Sequence, residues 1–431
     1  MTQQQVRVPR SAQPAGGRRR ARGRRPSALV IVQNLPVPLD RRVWLESQAL
    51  RDAGWDVTVV CPRGGDEPTL RTLEGIDIWT YPPPPPARGV GGFIREFAVC
   101  WLRTAGLTLR AWRRRPFDVI QACNPPDTYW LLALAWRLRG VRFVFDQHDL
   151  CPEVYLDRFG HKNLLYRSLV RLERATYRSA HALISTNESY RQIAVDRGGW
   201  RADHVEVVRS APDPEKMRRV PRDPARRPGH LVAYLGIMGP QDGVDHLLLA
   251  ADYLVHDLGR SDVHFVLLGF GDCMADLQAT TRKLGLSEYV TFTGRADLTM
   301  IEYWLSNADV AVAPDPPSDF NSRSTMNKVL EYMAYELPVV MYDLAENRRS
   351  AGEAALVANQ ASPTALAAAV AELLDDPQRR AAMGQAGRRR IEERLRWDQQ
   401  VPHYVAAFER ALTSRAFPRG RTTGRSRAAA Q

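Results

Sequence analysis

The chain has 431 residues, 44% of them hydrophobic and 25% charged, which predicts two or three domains of ordinary globular composition. Its net charge of +12 is concentrated at the ends, because residues 1–27 carry eight arginines, residues 415–431 carry five, and neither segment has an acidic residue. We expect disordered basic tails on a nearly neutral body. No basic stripe with interleaved aromatic residues lies inside that body, which argues against nucleic acid as a partner.

Cellular location is indicated by what the chain lacks. It has no apolar run of about 18 residues or more, and its start has no apolar signal region. The five cysteines are scattered without a Cys-x-x-Cys pair, which favours reduced thiols over a disulfide framework or a zinc site. These features predict a cytoplasmic protein.

Short apolar runs alternate with helix-length segments over residues 28–210, which predicts a doubly wound parallel sheet covered on both faces. The predicted strands lie at 28–33, 56–61, 76–81, 117–122, 141–146, 181–186 and 205–208. Residues 211–229 are rich in proline and arginine and are predicted to be a linker.

The alternation restarts after the linker, so residues 230–395 are predicted to form a second doubly wound domain. Its predicted strands lie at 231–236, 263–269, 289–294, 309–314, 337–342 and 354–358. A helix over 396–414 is expected to pack back toward the first domain. Two such domains face each other across a cleft, and ligands bind beyond the carboxyl ends of the strands.

One helical segment, residues 93–115, combines apolar and basic faces. Phe93, Phe97, Trp101, Leu102 and Leu109 lie near one face, and arginines surround the other. This pattern is typical of helices that lie on a membrane surface, but a crossover helix that packs on its own sheet has the same pattern. An anionic membrane surface is therefore a candidate partner, and both interpretations stay open.

Two adjacent strands of the second domain are followed by glycine turns, "LGIMGPQDG" with Gly236 and Gly239, and "LLGFGD" at 267–272. Such turns let a ligand approach the backbone, and the helix that follows offers unpaired N–H groups to an anion. They predict one nucleotide-sized pocket.

The stretch Asn321–Val340 enters a helix at the same edge of the second sheet. Glu331 is placed to accept hydrogen bonds from a ribose diol, and Lys328 to neutralise a diphosphate. The alternative is an ordinary Lys328–Glu331 pair on a solvated helix face. Spacing alone does not decide between them.

Several motifs, in this order and spacing, resemble the family-4 glycosyltransferases of the GT-B fold. They include "NLPVPLDRRVWLESQALRDAGWDVTVVCP", "VFDQHDLCPEVY", "YLGIMGPQDGVDHLLLAA" and "NKVLEYMAYELPVV", and the resemblance covers about residues 28–410. It implies a retaining glycosyltransferase of the polysaccharide or glycoconjugate type. Such an enzyme would move a sugar from a nucleotide-sugar donor to a lipid-linked or other glycan acceptor at the cytoplasmic membrane face.

The resemblance also implies roles for individual residues. His148 would lie beside the transferred sugar as the catalytic residue. The expected donor-binding residues are Gly236, Gly239, Arg295, Arg323, Asn327, Lys328 and Glu331, with Glu331 on the ribose and Arg295 by the base. On the acceptor side we expect Asn34, Asp40, Arg41 and Asp149. No Asp-x-Asp triplet is present, so neither a metal nor a cofactor is expected.

The chain departs from the family pattern in two places. Arg323 stands where the family often has a glutamate, eight positions before Glu331, and would favour an acidic sugar or a further phosphate contact. Ile237 and Asp242 stand where the family has an arginine and a lysine. These losses raise the alternative of a catalytically silent GT-B partner protein. A sugar-nucleotide epimerase is a third reading, with Asp146, Asp149 and Glu153 as its carboxylates.

Overall fold

The computed structural model describes residues 24–84 and 89–414, but not the side chains at 89, 90, 93 and 94. The predicted tails at 1–23 and 415–431 lie outside the described residues. Residues 24–27, which we assigned to the first tail, are instead part of the body. Arg24 donates a hydrogen bond of 2.9 Å to Asp118, and Ser27 begins the first strand, where its backbone N–H bonds the same carboxylate.

Within the described ranges, the first domain is built on an eight-stranded sheet in the order β3-β4-β2-β1-β5-β6-β7-β8. The strands are β1 Ser27–Ile31, β2 Asp56–Pro62, β3 Leu70–Leu73, β4 Ile76–Tyr81, β5 Val119–Cys123, β6 Arg142–Gln147, β7 Ala182–Ser185 and β8 Val205–Val207. All neighbours are parallel except the edge pair β3 and β4. Helices cover both faces, so the strands are almost fully buried.

The helices of the first domain connect these strands. They are α1 Arg41–Asp52, α2 Gly89–Arg114, α3 Trp130–Arg137, α4 Cys151–Phe159, α5 Leu164–Ser179 and α6 Glu188–Gly198. One face of the sheet packs against α2, α3 and α5. The other face packs against α1 and the C-terminal helix of the chain.

The second domain has a six-stranded, all-parallel sheet in the order β11-β10-β9-β12-β13-β14, counted over the described part of the chain. Its strands are β9 His230–Leu235, β10 Val263–Leu268, β11 Val290–Gly294, β12 Val310–Ala313, β13 Val339–Met341 and β14 Ala355–Val357. Its helices are α7 Val244–Asp252, α8 Met274–Lys283, α9 Leu298–Asn307, α10 Asp319–Arg323, α11 Asn327–Ala334, α12 Ala345–Ala351, α13 Pro363–Asp375 and α14 Pro377–Arg390. The strand order reverses beside β9, as it does beside β1 in the first sheet, and ligands bind at such switch points.

The predicted fold class is confirmed: two Rossmann-like domains of parallel sheet, followed by C-terminal helices. Every predicted strand is present with its ends within two residues. Only β3 was missed, because it is a short, half-exposed antiparallel strand at the sheet edge without a continuous apolar run.

The last helix, α15 Trp397–Thr413, lies on the first sheet, where Tyr404 and Phe408 are fully buried in its core. The chain therefore crosses between the domains twice, once through the linker and once just before Trp397. The two crossings are tied together, because the backbone N–H of Arg209 donates to the side chain of Gln400 at 3.1 Å.

Helix α2 packs on the sheet through small and hydroxylated side chains, with Cys100, Thr104 and Leu107 buried. Its outward face exposes Phe97, Leu102 and Leu109 next to arginines such as Arg103 and Arg110. Trp101, which we placed on the apolar face, is half-buried against the core, and the side chain of Phe93 lies outside the described residues. Over the described residues, no helix has the combined length and apolar character needed to cross a bilayer.

Candidate active site

A cavity of about 850 Å³ lies between the two domains. The first domain lines it with Asp40, Arg41 and Arg42 at the start of α1. The second domain lines it with Asn327 and Glu331 at the start of α11. Residues predicted for the acceptor side and for the donor side therefore meet in one cavity, although they are some 290 positions apart.

The start of α1 is fixed by Asp40, whose carboxylate caps the helix by accepting the N–H of Val43 at 3.1 Å. Arg41 then points across the cleft, and its guanidinium lies 3.5 Å from a carboxylate oxygen of Glu331. Asn34, predicted beside these residues, is exposed and does not line the cavity.

Glu331 is one of two carboxylates that line this cavity from the second domain, with Glu302 on α9, and 19% of its side chain is exposed. Burial raises the pKa of Glu331, and the nearby Arg41 opposes that rise. The side chain faces the cleft and is not paired with Lys328, so the ordinary Lys328–Glu331 helix pair is excluded.

A compact group of Arg42, Glu46, Asp146 and His148, here called the first-domain cluster, lies behind the cavity wall. Arg42 donates to Asp146 at 3.1 Å, and its Nε lies 2.9 Å from Glu46. Nε2 of His148 lies 2.7 Å from Asp146 and 3.1 Å from the Nε of Arg42. A nitrogen and a carboxylate oxygen at 2.7 Å need a proton between them, so Nε2 of His148 donates to Asp146.

The protonation of this cluster follows from burial and from its internal pairing. Burial alone would raise the pKa of Asp146, but Arg42 and His148 hold it below its ordinary value. Burial opposes the charged form of His148, yet Asp146 holds the pKa of His148 well above its ordinary value. Burial and Asp146 raise the pKa of Glu46 to about 8. His148 is therefore an imidazolium at neutral pH.

The loop that carries His148 is held by Asn124, which follows β5. Its side-chain oxygen accepts the backbone N–H of His148 at 2.7 Å and that of Asp149 at 3.1 Å. Helix α4, which begins directly after this loop, contacts the turn Pro240–Asp242 of the second domain. His148 and Asp149 therefore lie near the predicted glycine turn across the domain boundary.

Lys328 lies among acidic groups of its own domain, here called the lysine cluster. Its ammonium donates to Asp315 at 2.7 Å and to Asp242 at 3.3 Å, and it lies over the ring of Tyr234. The side chain is only 8% exposed. Lys328 was predicted to neutralise a diphosphate, but two carboxylates of the protein already share its charge.

The two glycine turns lie against each other, which explains why they carry glycine. A Cβ on Gly269 would lie 1.8 Å from the carbonyl oxygen of Gly236, and one on Gly271 would lie 2.5 Å from that of Met238. Gly239 donates its backbone N–H to Asp242 at 3.1 Å. The two turns are thus packed backbone against backbone, and Gly236 lies beside Lys328 of the lysine cluster.

The two arginines predicted for the donor site lie apart from the cavity lining. Arg295 follows β11, and its guanidinium lies 5.3 Å from the ring of Phe270 beside the second glycine turn. Arg323 ends α10, where its nearest carboxylate, Asp319, is 3.8 Å away. Its buried Nε has no hydrogen-bond partner within the described residues.

The three carboxylates weighed for an epimerase do not gather in the cleft. Asp146 is bound by Arg42 and His148, Glu153 is bound by Arg197 at 2.7 Å, and neither carboxylate lines the cavity. The geometry gives no catalytic set of carboxylates of the kind that reading requires.

Sequence reasoning missed Glu46 and Asp315, noted Asp242 only as a departure from the family pattern, and gave Arg42 no role of its own. Arg42 and Glu46 have a local signal, since they lie four positions apart on α1 next to the capping Asp40. Asp315 and Asp242 are distant from Lys328 in sequence and carry no such signal.

Comparison with known proteins places this geometry in a family. Residues 39–211 match the model described as "Glycosyl transferase 4-like domain", and residues 229–376 match "Glycosyl transferases group 1". The chain is 25% identical to a 2-deoxystreptamine glucosyltransferase of Streptomyces kanamyceticus, over 72% of this chain and 82% of that protein. It is also 25% identical to an MMP alpha-(1->4)-mannosyltransferase of Mycolicibacterium hassiacum, over 85% of this chain and 93% of that protein.

Among solved structures, the fold is similar to that of sucrose-phosphate synthase from Thermosynechococcus elongatus, with a TM-score of 0.70 at 17% identity. The match covers 90% of this chain and 98% of that one. The two family models together span most of both domains and divide near the predicted linker. The chain therefore belongs to the GT-B glycosyltransferases of the family-4 type, and it is an enzyme that takes its sugar from a nucleotide-sugar donor.

Proposed function

We propose that this enzyme transfers a sugar with retention of anomeric configuration to a lipid-linked glycan acceptor at the cytoplasmic face of the membrane. The observation that carries the proposal is the cavity between the domains, where Glu331 faces Asp40, Arg41 and Arg42. It offers a carboxylate for a ribose diol on one side and charged groups for an acceptor on the other.

On the donor side, Glu331 and Asn327 at the start of α11 bind the ribose of the nucleotide. The diphosphate lies beside the glycine turns, where the N-termini of α7 and α11 stabilise an anion. Arg323 supplies positive charge, because its guanidinium has only one distant carboxylate at 3.8 Å. Lys328 contributes less than the family pattern implies, since Asp315 and Asp242 already neutralise it.

On the acceptor side, His148 presents a fixed positive charge beside the transferred sugar. Breaking the anomeric C–O bond develops charge on the departing diphosphate and on the sugar, and preorganised donors stabilise that charge. His148 is preorganised by Asp146 and by the backbone bonds to Asn124. Asp149, next in the loop, is placed for the acceptor.

We also propose that the reaction is independent of metal ions. Glu46, Cys123, Asp146 and His148 bring four potential ligand atoms within 4.8 Å of one another. The guanidinium of Arg42 already binds the two carboxylates of that group, at 2.9 and 3.1 Å. A cation of the protein thus takes the place that a divalent ion would need.

Helix α2 supports the membrane part of the proposal. Its buried face packs on the sheet, while Leu102 is 65% exposed and Leu109 is 44% exposed beside Arg103 and Arg110. Exposed leucines flanked by arginines suit an interface with anionic lipid. A lipid-linked acceptor would reach the first domain from that surface.

Calorimetry with UDP, GDP and ADP tests the donor site. Glu331→Ala should weaken binding of the preferred nucleotide about tenfold or more, because a charge-assisted hydrogen bond pair to the ribose is lost. Glu302→Ala is the matched control, since Glu302 lines the same cavity on α9, away from α11. Equal losses in both variants would contradict the ribose assignment.

The reaction itself is tested with the donor that binds best. We expect His148→Ala to slow donor hydrolysis at least a hundredfold, and proton NMR of the product to show the donor's anomeric configuration. Wild-type hydrolysis in His148→Ala would refute the role of the histidine.

Flotation with anionic vesicles tests whether α2 binds a membrane. Replacing Arg103 and Arg110 by glutamine should reduce binding to the vesicles, and unchanged flotation would contradict the proposed membrane contact.

A further inference from the structure

The C-terminal helix α15 brings one polar group into the core of the first domain. Tyr404 is fully buried, its ring lies 5.2 Å from that of Phe408, and its hydroxyl donates to the side-chain oxygen of Gln121 at 2.5 Å. Gln121 lies on the central strand β5, and none of it is exposed. The bond joins residues 283 positions apart.

The nitrogen of the same amide serves the first-domain cluster. Nε2 of Gln121 donates to Glu46 and to Asp146, each at 2.9 Å. In the reverse orientation the amide oxygen would face the ionised carboxylate of Asp146, which repels. In the observed orientation the amide oxygen is left to accept from Tyr404, so the tyrosine hydroxyl supports the arrangement in which all three hydrogen bonds form.

Asp146 continues the chain of bonds to the cleft, since its carboxylate accepts from His148 at 2.7 Å. Exposure rises along this path, from 0% at Gln121 and Asp146 to 16% at the side chain of His148. The bonds thus run from the interior of the first domain to the partly exposed side chain of His148, behind the cavity wall that Arg42 helps to line.

We propose that Tyr404 is a positioning residue for His148, acting through Gln121 and Asp146. The C-terminal helix, which leaves the second domain and closes on the first, thereby completes the acceptor half of the active site. Its effect on the reaction rests on the proposed function, in which His148 acts on the transferred sugar. The coupling of Tyr404 to His148 does not depend on that assignment.

The test compares Tyr404→Phe with Phe408→Leu in the full chain. Both residues are fully buried aromatics one turn apart on α15, but only Tyr404 has a hydrogen bond to lose. We expect Tyr404→Phe to lower kcat about tenfold while KM and the calorimetric Kd for the donor nucleotide stay unchanged. We expect Phe408→Leu to lower Tm with kcat within about twofold of wild type.

A second measurement needs no activity. The nitrogen-15 resonance of Nε2 in His148, assigned with His148→Gln, reports its hydrogen bond to Asp146. It should move in Tyr404→Phe and stay in Phe408→Leu. In Gln121→Met, adding Tyr404→Phe should cause no further loss of kcat, because the path is already broken.

The outcomes separate the two proposals. An unmoved resonance in Tyr404→Phe, or equal losses of kcat in the two α15 variants, overturns the positioning role. A moved resonance together with wild-type transfer in His148→Ala overturns the role of His148 in the reaction and leaves the coupling established.

Discussion

The two halves of the cleft carry opposite balances of charge. The first-domain cluster has two cations, Arg42 and His148, and two carboxylates, one of which has its pKa raised to about 8. The lysine cluster has one cation, Lys328, and two carboxylates. At neutral pH the first-domain cluster is therefore net positive, and the lysine cluster is net negative.

This difference indicates how the enzyme manages a diphosphate without the family's usual arginine and lysine. Asp242, which replaces that lysine, is paired with Lys328 from α11 at 3.3 Å. The pair keeps the glycine turn in place but adds no net positive charge. In the proposed function, the leaving group is stabilised by helix N-termini, by Arg323 and by the positive charge of the first-domain cluster.

The largest expected effect comes from removing the carboxylate at the centre of the first-domain cluster. Asp146→Asn leaves Arg42 and His148 buried without their shared anion, which should lower the free energy of unfolding by about 3–5 kcal/mol and kcat by at least a hundredfold. Urea unfolding and a transfer assay measure the two. Asp149→Asn is the control in the same loop, and a matching loss of stability there would show that pairing is not the cause.

A smaller effect on stability is expected from Glu46, the second carboxylic acid of the first-domain cluster. Glu46 keeps its proton in the folded state up to about pH 8, above the ordinary value of 4.5. Its contribution to stability is complete below about pH 4.5 and is lost as pH rises toward 8.

Glu46→Gln cannot titrate, so its free energy of unfolding should fall less than that of the wild type between pH 5.5 and pH 8.5, by on the order of 3 kcal/mol. Urea titrations at several pH values measure the difference from wild type. Parallel pH curves for the two proteins would contradict the assigned titration.

In the second domain, Asp242→Asn tests the difference in charge between the lysine cluster and the first-domain cluster. It makes the lysine cluster neutral while keeping an oxygen to accept the N–H of Gly239. We expect the nucleoside diphosphate to bind about three- to fivefold more tightly, with the gain reduced at 300 mM salt. Asp245→Asn changes the same charge on the exposed first turn of α7, and an equal gain there would mean a general field effect.

The smallest effect is expected at the contact that joins the halves. Arg41 is 55% exposed, so its pairing with Glu331 contributes little, and Arg41→Met should tighten nucleotide binding by at most about threefold. Because Arg41 opposes the raised pKa of Glu331, its removal lets that pKa rise further.

Glu331 accepts hydrogen bonds as a carboxylate, so nucleotide binding is lost as pH falls through its pKa. In Arg41→Met this loss should begin at a higher pH than in wild type. Calorimetry across pH measures the shift, with Glu331→Gln as the control that has no such dependence. Coincident profiles of wild type and Arg41→Met would show that the two side chains do not interact in solution.

The fold could be predicted closely because buried parallel strands are continuous apolar runs between helices. The exception, β3, has two polar residues between its two leucines and lies at a half-exposed edge, where burial does not require a continuous apolar run. Asp40 and Glu331 could be placed at the cavity from the sequence, because each stands at the start of a helix that follows a recognisable strand, and their functional roles stay predictions.

Local sequence patterns could not predict the hydrogen-bond and ion-pair partners of the site residues. Lys328 looked like a free cation in the sequence, because Asp242 lies 86 positions away and only the fold brings it within 3.3 Å. Tyr404 is one aromatic residue in an ordinary amphipathic helix, and nothing near it indicates a hydrogen bond to Gln121 on a distant strand.

The double crossing of the chain constrains how the cleft can open. A single linker would let one domain swing and twist freely about a point. Two crossings, tied by the hydrogen bond between Arg209 and Gln400, define an axis of rotation instead. The domains are therefore expected to open by rotation about one axis through the two crossings. Glu331 and Arg41 then separate and return along a single path, and they regain the same contact in every catalytic cycle.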